Sequence, residues 1–203
     1  MNLPIDEQIK VSNDDIGKSY FHLLTDIIID DIIDEYPRYL THLTLGPRIN
    51  CNIKNRIPSN ITHLTFGIRF NFDIVGCIPN GITHLRFGYR FNRDIKGCIP
   101  NSVTYLSFGY DFNRDIKGYI PNNVTHLNFG NNFNRDITDC IPSKVTHLGF
   151  GYNFNRDITG CIPASVTYLT FDKVYDENIA NMVPSTVTHL VFLRENWKTR
   201  QTK

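Results

Sequence analysis

Eight prolines stand at an unbroken spacing of 21 residues, at Pro37, Pro58, Pro79, Pro100, Pro121, Pro142, Pro163 and Pro184, and each is followed at a fixed distance by Thr-(His/Tyr)-Leu. A period held this strictly predicts a solenoid, in which each repeat is one turn and buries its apolar face on the turns before and after it. Any residue type that recurs at this spacing then meets its own copy in the next turn. The chain is best read as a set of columns.

Residues 100–120 show the unit most clearly. Val103, Leu106 and Phe108 form a V-x-x-L-x-F pattern closed by Gly109, and Phe112, Asn113, Ile116 and Ile120 follow before Pro121 opens the next turn. Leu106 and Phe108 alternate with Tyr105 and Ser107, the period of two that a half-buried strand requires. One short strand per turn, eight in register, predicts a parallel sheet about 35 to 40 Å long at the usual inter-strand spacing. The stretch from Gly109 to Pro121 is too short for a full helix with two loops, which predicts an extended or 3₁₀ return path. The fold class is therefore mainly β.

The apolar columns are the core. One holds Leu43, Leu64, Leu85, Leu106, Leu127, Leu148, Leu169 and Leu190; a second runs from Leu45 through Phe66, Phe87, Phe108, Phe129, Phe150 and Phe171 to Phe192. A third holds Phe70, Phe91, Phe112, Phe133 and Phe154, with Ile49 and Tyr175 at its ends, and the Ile53-to-Ile179 column faces it. The asparagines at 50, 71, 92, 113, 134 and 155 sit where the strand bends away, placed to bond backbone groups the bend leaves unpaired. The Thr41-to-Thr188 column is expected to satisfy backbone at strand entry. Arg93-Asp94, Arg114-Asp115, Arg135-Asp136 and Arg156-Asp157 read as structural ion pairs.

The pattern Phe112-Asn113, Ile116, Ile120-Pro121, with copies at Phe70-Asn71, Phe91-Asn92, Phe133-Asn134 and Phe154-Asn155, resembles the FNIP repeat, a short relative of the leucine-rich repeat. The resemblance covers residues 37–193. It implies a leucine-rich-repeat-like solenoid, as in proteins of amoebae and of the giant DNA viruses that infect them, and a role in protein binding. Relatives that carry an F-box ahead of the repeats also imply substrate recruitment to a ubiquitin ligase. Leu3-Pro4 is a faint echo of such an element, and the 36 residues before the first repeat proline are few for one.

Twenty-one basic and twenty acidic side chains nearly cancel, so no strong field draws the chain to nucleic acid or an anionic membrane. The charged start and the absence of a long apolar run predict neither a signal peptide nor a transmembrane segment, and an intracellular, cytoplasmic protein. Cys77, Cys98, Cys140 and Cys161 share one slot with Tyr119 and Met182, which favours semi-buried thiols over a disulfide or metal site. No nucleophile elbow, phosphate loop or zinc-protease motif is present.

Three segments follow: residues 1–36 as an N-terminal cap, helical or a degenerate turn; 37–193 as the solenoid; 194–203 as a tail. The outward strand positions carry a His/Tyr column (His42, His63, His84, Tyr105, His126, His147, Tyr168, His189) beside a variable one. The sequence points to a non-enzymatic module that binds an unidentified protein through this face, centred on His84, Arg86, Tyr105, Ser107, His126 and Asn128, with no cofactor and no metal. The alternative is the substrate-recognition subunit of a ubiquitin ligase, with residues 1–36 recruiting the scaffold; a metal-dependent activity of the His column stands third. A monomer is expected, with Trp197 covering the last turn, against a dimer through the C-terminal edge.

Overall fold

A computed structural model describes residues 9–174 and 176–194. Ten short strands form one all-parallel sheet in sequence order: β1 (Ile9–Val11), β2 (Asp26–Ile29), β3 (His42–Leu45), β4 (His63–Thr65), β5 (His84–Arg86), β6 (Tyr105–Ser107), β7 (His126–Asn128), β8 (His147–Phe150), β9 (Tyr168–Phe171) and β10 (His189–Phe192). From β3 onward every strand pairs with its copy, so His84 lies opposite Tyr105, Leu85 opposite Leu106 and Arg86 opposite Ser107. Leu and Phe point inward, and the His/Tyr column faces outward, as strand parity requires.

The interior is a set of stacks. Phe70, Phe91, Phe112, Phe133 and Phe154 are fully buried, as is the Ile74-to-Ile158 column facing them. Within a turn the two Phe columns meet ring on ring, at 3.9 Å for Phe108–Phe112 and 4.0 Å for Phe129–Phe133. Tyr175, expected at the end of one column, lies outside the described residues.

Polar ladders bind the turns where the apolar ones do not. The side-chain oxygen of each Asn accepts the backbone N–H of the next: Asn113 from Asn134 at 3.1 Å, Asn92 from Asn113 at 3.1 Å, Asn71 from Asn92 at 3.0 Å. Gly67, Gly88, Gly109, Gly130 and Gly151 stack so closely that a Cβ on Gly109 would stand 1.8 Å from the Gly88 carbonyl oxygen. Only glycine fits there. The return path runs through turns whose Gly76, Gly97, Gly118 and Gly160 have φ between 65° and 73°, a slot that Asn55 and Asp139 fill elsewhere.

Two regions depart from the expected pattern. Residues 9–36 add two turns to the sheet, making ten strands rather than eight; Ile27 and Ile29 pair with Leu43 and Leu45 across a shortened turn. Phe21–Leu23, an echo of the strand motif in sequence, is a 3₁₀ turn with Phe21 buried beneath it and His22 and Leu23 exposed. In the last turn the return path is helical, α1 (Glu177–Met182), because Asp176 caps it by accepting the Asn178 N–H at 3.0 Å. No helix among the described residues is long and apolar enough to cross a membrane.

Candidate functional site

The outward side of β3–β10 is an aromatic file. His42 and His63 stack at 3.9 Å, His63 and His84 at 4.1 Å, His126 and His147 at 4.2 Å, and the tyrosines continue the file, Tyr105 standing 5.6 Å from His84 and 5.9 Å from His126. Each imidazole Nδ1 meets the hydroxyl of the preceding Thr, at 2.8 to 3.0 Å for Thr41–His42, Thr62–His63, Thr83–His84 and Thr125–His126. That hydroxyl also faces the Thr carbonyl one turn back, as 3.2 Å for Thr83 to Thr62. The Thr62 carbonyl already accepts two backbone N–H groups, from Thr83 and His84. With its one proton given to that carbonyl, the hydroxyl meets Nδ1 through its oxygen, and the contact fixes each ring by that edge. The file presents a row of oriented ring edges.

Burial and neighbours favour the neutral form of His63, His84 and His126. His63 is pulled down to about 4, first by burial and then by His42, His84 and Arg86. His84 is lowered by burial and then Arg86, and His126 by burial and then His147. Beside the file, Arg86, Ser107 and Asn128 lie opposite one another on β5, β6 and β7. The Arg86 guanidinium sits 4.7 Å from the centre of the Tyr105 ring. The six residues chosen from sequence therefore share one face of three neighbouring strands. Parallel rings aim their lone pairs the same way, and no group of three or more His, Cys, Asp or Glu among the described residues is arranged to hold a metal ion.

The Arg-Asp pairs expected on the return path do not form. Each Asp accepts the backbone N–H two residues on, Asp94 from Lys96 at 3.0 Å and Asp157 from Thr159 at 2.8 Å. Each Arg Nε instead donates to an Asn carbonyl in the previous turn, Arg114 to Asn92 at 2.9 Å and Arg135 to Asn113 at 3.0 Å. A nearby backbone partner of fixed geometry wins over a flexible, solvated ion pair. The repeated thiols are free; Cys77, Cys98 and Cys140 are buried, and burial pushes Cys98 up to about 11.

Sequence reasoning missed a second outward feature, the β-turn that follows each of strands β3–β8. The Phe70 N–H bonds the Gly67 carbonyl at 3.1 Å and the Phe91 N–H the Gly88 carbonyl at 3.2 Å, leaving residues 68–69 and 89–90 exposed. Its signal was present. These two positions vary freely in a repeat that is otherwise strict.

The FNIP Repeat family model matches residues 32–69, 50–89, 70–111, 112–153 and 154–193. No curated protein shows significant similarity to the chain. Among solved structures, the crystal structure of CroV588, described as a novel circular LRR protein, is similar at 40% identity and a TM-score of 0.72 over 84% of this chain. The match spans 27% of that protein's length. With repeat matches running through the stacked strands and an LRR-like neighbour at this identity, the chain belongs to the FNIP-repeat family.

Proposed function

We propose that this solenoid is a non-enzymatic protein-interaction module whose partner lies on the outward strand face at β5–β7. The observation that carries the reading is the pinned aromatic file beside a variable row: His84, Tyr105 and His126 are oriented by stacking and, for the histidines, by the Thr hydroxyls, while Arg86, Ser107 and Asn128 differ from turn to turn. Pre-oriented aromatic and Arg groups lose little conformational freedom on binding. Residues 9–36 are woven into the coil as β1 and β2, and no observation favours the ligase reading over simple partner binding.

The test is affinity capture followed by titration of whatever is recovered. Arg86→Glu with Tyr105→Ala and His126→Ala should abolish capture while circular dichroism stays unchanged. Because the two alanines remove stacked rings, Ser107→Arg with Asn128→Arg serves as a second variant that adds bulk to the face and removes nothing from it. Full capture by both would place the site elsewhere.

A further inference from the structure

Strands β3–β8 each end in a β-turn, and consecutive turns are tied into a ridge by backbone bonds: Arg90 N–H to Ile68 carbonyl at 3.0 Å, Asp111 to Tyr89 at 2.8 Å, Asn132 to Tyr110 at 2.9 Å and Asn153 to Asn131 at 2.9 Å. Two side chains project from each turn. Along the ridge they read Pro47-Arg48, Ile68-Arg69, Tyr89-Arg90, Tyr110-Asp111, Asn131-Asn132 and Tyr152-Asn153. The later half satisfies itself, since the Asn132 amide donates to Asp111 at 3.2 Å and the Asn153 amide to Asn132 at 2.9 Å. The earlier half does not. Arg48, Arg69 and Arg90 are exposed and belong to none of the ion pairs formed among the described residues.

The three guanidinium groups form one column, carried on turns about 4.8 Å apart, and repel one another. Beside them Ile68 is 53% exposed, Tyr89 45% and Tyr110 37%, with the Tyr89 and Tyr110 rings stacked at 4.5 Å. Acidic groups bound the strip at both ends: Arg48 lines one groove with Asp14, Asp15, Asp30 and Asp31, and Asp111 follows Arg90. We propose that the ridge from Arg48 to Tyr110 docks an acidic peptide segment, its carboxylates on the Arg48–Arg69–Arg90 column and an apolar side chain on Ile68 and Tyr89. Arg donates to carboxylates in a two-pronged geometry, and anions between the guanidinium groups relieve their mutual repulsion. Single-stranded nucleic acid fits less well. The facing sides of Tyr89 and Tyr110 already cover each other, so no base slips between them, and the chain's formal net charge is only +1.

This site does not use the strand face, and the two readings fail separately. The measurement is fluorescence anisotropy of the full chain with a fluorescein-labelled peptide of alternating Glu and Phe, against its Lys-Phe counterpart and labelled oligouridylate. The acidic peptide should bind best and weaken as salt rises. Arg48→Glu with Arg69→Glu and Arg90→Glu should weaken it about tenfold or more. Arg135→Glu with Arg156→Glu on the return path, and Ser107→Arg with Asn128→Arg on the strand face, should leave it unchanged. The proposal is overturned if the acidic peptide binds no better than the basic one, if oligouridylate binds more tightly, or if the triple reversal has no effect in a variant whose circular dichroism is native.

Discussion

The turns in the middle of the coil and the turns at its ends are made of the same columns but reach closure by different means. Around Phe112, each apolar side chain has a copy above and a copy below; Leu106, Leu127, Phe112 and Phe133 are fully buried. At β10 Leu190 and Phe192 are only half-buried, and the Phe192 ring meets Phe171 at 5.5 Å. The N-terminal end is closed by changing the sequence. Gly46 stacks on Asp30 in place of a glycine, the Asp30 carboxylate is held by Lys10, and Phe21 and Val11 complete the cover. A strict repeat is needed only where both neighbours are copies.

Five substitutions and one titration sharpen that contrast. Phe112→Ala should lower the free energy of unfolding in urea by about 3–5 kcal/mol, since the surrounding stacks cannot collapse onto the cavity, whereas Leu190→Ala at the edge should cost less than about 2 kcal/mol. Equal losses would mean that the ends are packed as tightly as the middle. Gly109→Ala drives a methyl group into the Gly88 carbonyl and should cost about 1–3 kcal/mol or more. By contrast Gly118→Asn, in a slot where Asn55 already stands with φ 60°, should cost under about 1 kcal/mol. Asn113→Ala orphans the Asn134 N–H and should cost about 1–3 kcal/mol in thermal melts.

The smallest effect is expected from pH. The folded His63 titrates near 4, below the ordinary histidine value of 6.5. Its stabilising contribution is complete above pH 6.5 and is lost as pH falls through 6.5 toward 4, because the unfolded chain takes the proton first. His63→Gln should flatten the melting temperature across that window. A variant as acid-sensitive as the parent would remove the His stack from the explanation.

Strand parity and the apolar columns were legible because a fixed period turns spacing into contact: Leu85 on Leu106 is implied by the repeat itself. The first two strands were not. Their turns are shorter than the repeat, so Ile27 and Ile29 find Leu43 and Leu45 at a spacing the period does not supply. The Arg-Asp pairs were misjudged because charge was weighed above backbone: Asp94 folds onto the Lys96 N–H and Arg93 reaches the Asn71 carbonyl. Helix α1 arises where Asp176 and Glu177 replace the usual start of the return path, a local capping signal inside a non-helical period. Trp197, expected to cover the last turn, lies outside the described residues. Among the site residues, the His/Tyr file was visible as a column, while the ridge was hidden by its own variability.

The central claim is that each 21 residues form one interchangeable turn held by its two neighbours. Deleting residues 110–130 tests it directly, since Asn131 then takes the place of Tyr110 after Gly109 and every column closes on its next copy. The shortened chain should keep the β-sheet circular dichroism and a cooperative thermal transition, whereas a deletion of 110–131 should lose both by shifting all later strands to the opposite face. Unfolding of the in-register deletion, or equal stability of the out-of-register one, would contradict the account.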